Sequence, residues 1–216
     1  MKTMNKCFSP PNLDSPKRLA IIDAATKLFL QAGFGAVSVD AIAAQANVSK
    51  RTVYSHFEGK EALFVSVMFA VCKNIGDGEG CPITSEDLRA KLSLKDMLLT
   101  KGRRLLALLT TPDGAELMRV VMSEAARFPE LGRAFYEVGP GQSINDLAEY
   151  LEERMNLGEV KIKNTEMAAQ QFLGTLVFPA QMQMTLGIRD GMSKKEIEDI
   201  VENAVNGFLK IYGIDR

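Results

Sequence analysis

Apolar residues recur at steps of three and four along almost the whole chain, and nowhere do they alternate over a run long enough to make a strand. That spacing confines the chain to an all-α architecture, because the apolar positions fall on one side of a helix and on both sides of a strand. No apolar run approaches the ~20 residues that a membrane span requires. Hydrophobic residues make up 46% and charged residues 25%, the balance of an ordinary globular protein rather than a disordered one. The first residues carry Lys2 and Lys6 without a continuous apolar core, so no secretory signal is expected. Cys7, Cys72 and Cys81 lack a CxxC spacing, which argues against a disulfide framework or a zinc site and favours a reducing cytoplasm. Neither a metal nor a cofactor is expected.

Capping residues divide the helical pattern into about nine helices. Residues 1–14 read as a flexible tail. Ser15 and Pro16 open a helix that Gly33 ends. Ser38 and Ser49 each precede a short helix, with Asn47 in the turn between them, a residue that tolerates the left-handed backbone of a tight helix turn. A further helix starts near Lys60. The stretch Asn74 to Ser85, with three Gly and a Pro, marks a domain link, which divides the chain into 15–73 and 74–216. Cys72 and Cys81 flank that link; a redox switch there is conceivable, although idle thiols are commoner. Helices are then expected over 94–109, 113–127, 129–136, 143–157, 165–186 and 194–212. The last opens on a capping box, Ser193 with Glu196, and Pro179 is expected to kink the one before it.

Residues 38–57 carry the most information. Two helices of about two turns, joined tightly and flanked by longer helices that can pack on them, form a helix-turn-helix. On a wheel of about 100° per residue, with Val53 at zero, Phe57 falls at about 40°, Lys50 at about 60°, Tyr54 at about 100°, Arg51 at about 160°, Ser55 at about 200° and Thr52 at about 260°. Val53 and Phe57 define the buried side. The outward arc holds a guanidinium, hydroxyls and a phenol, and no carboxylate lies between Ser49 and Phe57. Arg51 can fork to guanine O6 and N7, and Lys50 can reach a base edge or a phosphate. Thr52, Tyr54 and His56 suit phosphate oxygens, as does Lys60 at the start of the next helix. Charge agrees: residues 1–60 hold eight Lys/Arg against four Asp/Glu, net +4, and the remainder of the chain is net −5. Alone, a Ser-capped helix with two cations is usually a solvated surface helix, and a lone histidine is usually a packing residue. The fixed offsets of Ser38, Asn47, Ser49, Val53 and Phe57 reverse that reading.

The segment GFGAVSVDAIAAQANVSKRTVYSHFEGKEALF, residues 33–64, resembles the DNA-binding domain of TetR-family transcriptional regulators. Gly33-Phe34, Ser38, Ile42-Ala43, Ala46, Val48-Ser49, Tyr54, His56-Phe57 and Lys60-Glu61-Ala62-Leu63 carry the resemblance. Asn47 replaces the usual turn glycine, and Val37 stands where Thr is common. The resemblance implies a three-helix helix-turn-helix domain followed by a helical bundle for ligand binding and dimerisation. It also implies a homodimer on an inverted-repeat operator in double-stranded DNA, with Ser38, Lys50, Arg51, Thr52, Tyr54, His56 and Lys60 at the DNA; Ser55, on the outward arc of the wheel, and Ser49 at the helix start are assigned to the same site. EAARFPELGRAFYEVGPGQ, residues 124–142, and AAQQFLGTLV, residues 168–177, are similar to the subgroup with an AefR-like C-terminal domain.

Two expectations concern that second half. Ile197, Ile200, Val201, Ala204, Val205 and Phe208 form one apolar stripe, and Phe172 and Thr175 lie on a comparable one; together they are assigned to a four-helix dimer interface, the alternative being packing within one chain. Met97, Leu105, Met118, Met122, Phe135, Phe172, Phe178 and Met182 are assigned to an apolar effector pocket, the alternative being plain core. The function expected is that of a cytoplasmic transcriptional regulator, a repressor released by a small and largely apolar effector. The competing reading is a helical interaction protein that keeps the helix-turn-helix only as a packing module. An enzyme is disfavoured, since no nucleophile elbow, metal-binding His pair, Rossmann fingerprint or P-loop is present.

Overall fold

The computed structural model describes residues 15–75 and 92–213, with the side chains of 72–75 left out. The expected tail, most of the expected link, and the thiols of Cys7, Cys72 and Cys81 lie outside the described residues. The helices are α1 (Pro16–Ala32), α2 (Val39–Gln45), α3 (Lys50–His56), α4 (Lys60–Ile75), α5 (Leu94–Leu109), α6 (Pro112–Glu124), α7 (Pro129–Val138), α8 (Pro140–Asn156), α9 (Thr165–Thr185) and α10 (Lys194–Tyr212). The only bridge outside them among the described residues is an isolated antiparallel pair, Val160 with Gly213. No helix among the described residues is long and apolar enough to cross a membrane.

The chain forms two compact units. One holds the described residues up to Val71 together with Val120–Val138; the other holds Cys72–Arg119 and Gly139–Arg216. A division after residue 73 therefore describes the first break, but the end of α6 and all of α7 join the N-terminal unit.

In the first unit α1 buries Ile21, Ile22, Ala25 and Phe29. Ser15 occupies the cap position without a side-chain cap bond, contrary to the expected role, and Pro16 begins the helix. Phe29, Phe34 and Phe64 meet pairwise with ring centroids 5.5 Å apart, and Phe128 adds an edge-on contact to Phe34 at 5.2 Å. This aromatic cluster fixes the end of α1 against α4. Gly33 leaves α1 at φ 79°, and a Cβ there would stand 2.9 Å from Glu124 Oε1, so both backbone and space call for glycine.

In the second unit α5, α8, α9 and α10 enclose a core that includes Leu98, Leu106, Tyr150, Leu151, Phe172, Leu176, Val201 and Val205. At Gly102 a Cβ would lie 2.8 Å from Val201 Cγ1 and 3.3 Å from Leu176 Cδ1, which brings three helices into close approach. The apolar stripe of α10 is used here. Phe172, Val201, Ala204, Val205 and Phe208 are buried within the chain's own core, and Ile197 and Ile200 pack against it. Of the residues assigned to a dimer interface only Thr175 is exposed. The physical reason is simple: a helix with one apolar stripe can turn it to its own domain or to a partner, and α10 turns it inward.

Candidate nucleic-acid interface

Helices as short as α2 and α3, seven residues each, are not stable alone in water, so their geometry rests on caps and a shared core. The Ala41 N–H donates to Ser38 Oγ at 3.1 Å, and the Thr52 N–H donates to Ser49 Oγ at 3.0 Å. Between the helices Asn47 takes φ 53°, the only positive φ of a non-glycine residue among those described. The Asn47 N–H donates to the Ala44 carbonyl and the Val48 N–H to the Ala43 carbonyl, closing the turn. Ile42, Ala43, Val53 and Phe57 are buried beneath it. The two helices are thereby held as one corner against α1.

The face away from that core carries the chemistry. Arg51 is exposed and, among the described residues, makes no hydrogen bond, ion pair or ring contact. Tyr54, three residues on, is 51% exposed, a large ring left in solvent. Ser55 is exposed, but its hydroxyl donates back to the Thr52 carbonyl at 2.8 Å. Thr52 is half-buried, and its hydroxyl shares a 2.8 Å hydrogen bond with that of Ser49. Lys50 does not stand free: its ammonium donates to Asp40 Oδ2 at 2.9 Å, and this hydrogen bond, with the charge behind it, raises the lysine pKa. Of the two cations on α3, one is engaged within the protein and one is available.

Two further cations differ from what sequence spacing suggests. Lys60, expected to point at a phosphate, lays its ammonium over the Phe34 ring at 4.3 Å. Burial there lowers its pKa, so its first role in this conformation is packing at the start of α4. Arg18, absent from the expected site, donates from Nη1 to the His56 carbonyl at 2.6 Å and stacks over Phe57 at 4.2 Å. It therefore closes the C-terminal end of α3, whose last carbonyls have no partner inside the helix. Nothing in the sequence near Arg18 signals this contact, because its partner lies 38 residues away. Glu124 is a second residue that sequence reading missed: its Oε1 accepts the Gly35 N–H at 3.1 Å and secures the turn between α1 and α2.

The residues assigned to an effector pocket separate. Met97, Met118 and Phe172 are buried in the second unit, and Leu105 packs against its core. Met122 and Phe135 belong to the first unit instead. Met122, Phe178 and Met182 are exposed, Phe178 by 68%. Helical periodicity placed them on apolar stripes, but it cannot tell an inward stripe from a second, outward one. Among the described residues, no three or more His, Cys, Asp or Glu side chains gather as a metal-binding group.

Two family models match this arrangement. One, of bacterial regulatory proteins of the tetR family, covers residues 21–67, and the other, of the AefR-like transcriptional repressor C-terminal domain, covers residues 96–214. The chain belongs to the TetR family of transcriptional regulators. It is a DNA-binding transcriptional regulator of that family, with an AefR-like C-terminal domain. A solved structure of the flavonoid-responsive regulator FrrA is 34% identical, covers 93% of this chain and 98% of its own, and superposes with a TM-score of 0.72. The fatty acid metabolism regulator protein of Bacillus subtilis (strain 168) is 26% identical over 162 residues, 74% of this chain and 80% of that protein. An uncharacterized HTH-type transcriptional regulator of the same organism, YhgD, is 39% identical over 59 residues, 27% of this chain; the match spans only 31% of YhgD.

Proposed function

We propose that this TetR-family regulator is a cytoplasmic homodimeric repressor that leaves an inverted-repeat operator when a small, largely apolar effector binds. The observation that carries the reading is the state of α3: a doubly capped corner presents Arg51 to solvent without a partner among the described residues, on a face that has no carboxylate of its own. An exposed guanidinium on a rigid helix suits the two acceptors of a guanine edge. Ser38, Ser49, Thr52, Tyr54, Ser55 and His56 then serve the backbone on either side. Lys60 joins them only if it leaves the Phe34 ring.

Pairing of two chains is supported by the outward side of α9. Met167, Gly174, Thr175, Phe178 and Met182 follow one another along it, all exposed, and no charged residue occurs in α9 after Glu166. A charge-free, partly apolar helix face of this length is the surface a second copy would cover. This replaces the inward stripe of α10 as the proposed interface. The effector reading keeps Met97, Leu105, Met118 and Phe172 as candidate contacts in the interior of the second unit. It is supported by the names of two similar proteins, one a flavonoid-responsive regulator and one a regulator of fatty acid metabolism. The effector acts through its difference in affinity for two conformations, and a few kcal/mol of difference suffices to empty the operator. We assign no catalytic activity.

Selection of bound fragments from random DNA tests this reading. The recovered sites should contain two inverted half-sites whose centres lie about 34–36 Å apart or a multiple of that distance. Their affinity should fall steeply between about 50 and 200 mM salt. Recovery of no common sequence would leave only the reading as an interaction module.

A further inference from the structure

The two ends of α3 are held by different means. At its N-terminus Ser49 supplies a local cap; at the other end the chain leaves the helix at Phe57 in an extended conformation, and the Phe57 N–H returns to the Val53 carbonyl. The His56 carbonyl in this last turn is taken up by another element, since Arg18 Nη1 on α1 donates to it at 2.6 Å. The same guanidinium covers the Phe57 ring at 4.2 Å, and its Nε is buried without a hydrogen-bond partner among the described residues. Arg18 thus gives up water at one nitrogen to hold this place. Apart from the turn with α2 and the exposed Lys50–Asp40 pair, the remaining grip on α3 is apolar, through Val53 and Phe57. Apolar burial keeps a helix in the core but is non-directional, so it sets tilt and rotation only weakly. A hydrogen bond weakens as its angle opens, and so it fixes direction.

We propose that Arg18 is a positioning residue for base reading: it aligns α3 so that Arg51 meets a base edge in one geometry, and its loss costs the operator more than arbitrary DNA. Arg51 lies in the first turn of α3 and Arg18 bonds the last, so the effect passes along the helix as a rigid body. Seven residues span only about 10 Å, and a tilt released at one end is felt at the other. A guanidinium fork on a guanine edge tolerates little misalignment, whereas the attraction of a cation to a phosphate varies slowly with position. The Arg18 bond is already made in the free protein and need not break on either duplex, so it does not compete with DNA. It raises the fraction of molecules whose α3 is aligned beforehand, and the operator dissociation constant scales inversely with that fraction. Arbitrary DNA, held through its phosphates, accepts a range of alignments and depends on that fraction less. The inference rests on α3 being the helix that contacts DNA.

The test compares the full-length protein with Arg18→Met, which keeps an unbranched side chain without charge or donor, and Arg18→Lys, which keeps the charge. Binding to the selected operator duplex and to a scrambled duplex is followed by fluorescence anisotropy across a salt series, at a temperature where circular dichroism shows each variant fully folded. Under that condition a contribution to global stability alone moves neither affinity. Arg18→Met should weaken operator binding roughly 5–30-fold and scrambled-DNA binding by a smaller factor, so the ratio of the two affinities falls. Both log K against log[salt] slopes should stay as in the wild type. Arg18→Lys should restore part of the ratio, because an ammonium can reach the carbonyl but does not stack on the ring. Should Arg18→Met fail to fold, Arg18→Lys alone decides, with a smaller fall in the ratio expected. Hydrogen exchange of the DNA-free protein should quicken at the amides of α3. Equal effects on the two duplexes would overturn the proposal, as would unchanged exchange throughout α3. So would slopes lower by about 0.9 on both duplexes, since Arg18 would then itself contact a phosphate. Arg51→Ala, run in parallel, separates the two readings. If it keeps every base preference, the assignment of α3 fails; if it loses one while the Arg18 variants act on both duplexes alike, only the role of Arg18 fails.

Discussion

One side chain adds a tertiary tie to the cap and core that hold α3. Arg18 reaches from the first turn of α1 to the last carbonyl of α3 and covers the Phe57 ring, so it replaces the hydrogen bond that helix geometry leaves unmade there. Arg18→Ala should destabilise the protein by about 1–3 kcal/mol, the range for a lost bond from a charged donor together with its packing. Urea unfolding measures this directly. Arg18→Lys should recover part of the stability, since an ammonium can reach one carbonyl but lacks the flat guanidinium face that stacks on the ring. The exposure of Arg51 was legible from the sequence because it depends only on the helical repeat and on Val53 facing inward. The roles of Arg18, Asp40 and Glu124 were not, since each depends on a partner brought near by tertiary packing.

The helices themselves were largely readable from their ends. Ser38, Ser49, Ser93, Asn164 and Ser193 each cap the helix expected of them, with a side-chain oxygen accepting the N–H three residues on. The misreadings have local causes. One helix was expected to begin only at Ser143, but Pro140 at its first position starts α8 earlier, behind Gly139. α6 stops at Glu124 rather than running to Arg127. The direction of the α10 stripe could not be read at all, because an amphipathic pattern states that a face is covered and not by what. The cap of α10 yields a pH prediction. Glu196 accepts from Arg189 Nη2 at 2.5 Å, from the Ser193 N–H at 2.9 Å and from Ser193 Oγ at 2.8 Å. These bonds, that to Arg189 first, lower its pKa from 4.5 to about 2. A carboxylate whose folded pKa lies below its unfolded value adds stability above the unfolded value and loses it as pH falls towards the folded one. The wild type should therefore lose its margin over Glu196→Gln between pH 4.5 and about 2. Thermal unfolding of both proteins across that window checks it, and parallel curves would remove the cap from the acid response.

At the scale of the molecule, the account needs two recognition corners on one operator, because a helix of seven residues offers few contacts. The face of α9 that carries Phe178 is the proposed means. Phe178→Glu would place a charge in the buried centre of a paired interface but in solvent on a lone chain, where Phe178 is 68% exposed. Light scattering should thus show the wild type at twice the 23.7 kDa chain mass and Phe178→Glu at the single mass, with helix content unchanged. Operator affinity should fall with the loss of pairing. An unchanged dimer would move the interface elsewhere. The central claim, that α3 reads base edges, is tested most directly by the base preference of Arg51→Ala, measured on the selected operator with every half-site position substituted in turn. The account predicts a loss of about 1–3 kcal/mol of discrimination at one base pair, with the preferences at other positions retained. A uniform weakening on all sequences, with the full pattern of preferences intact, would contradict it.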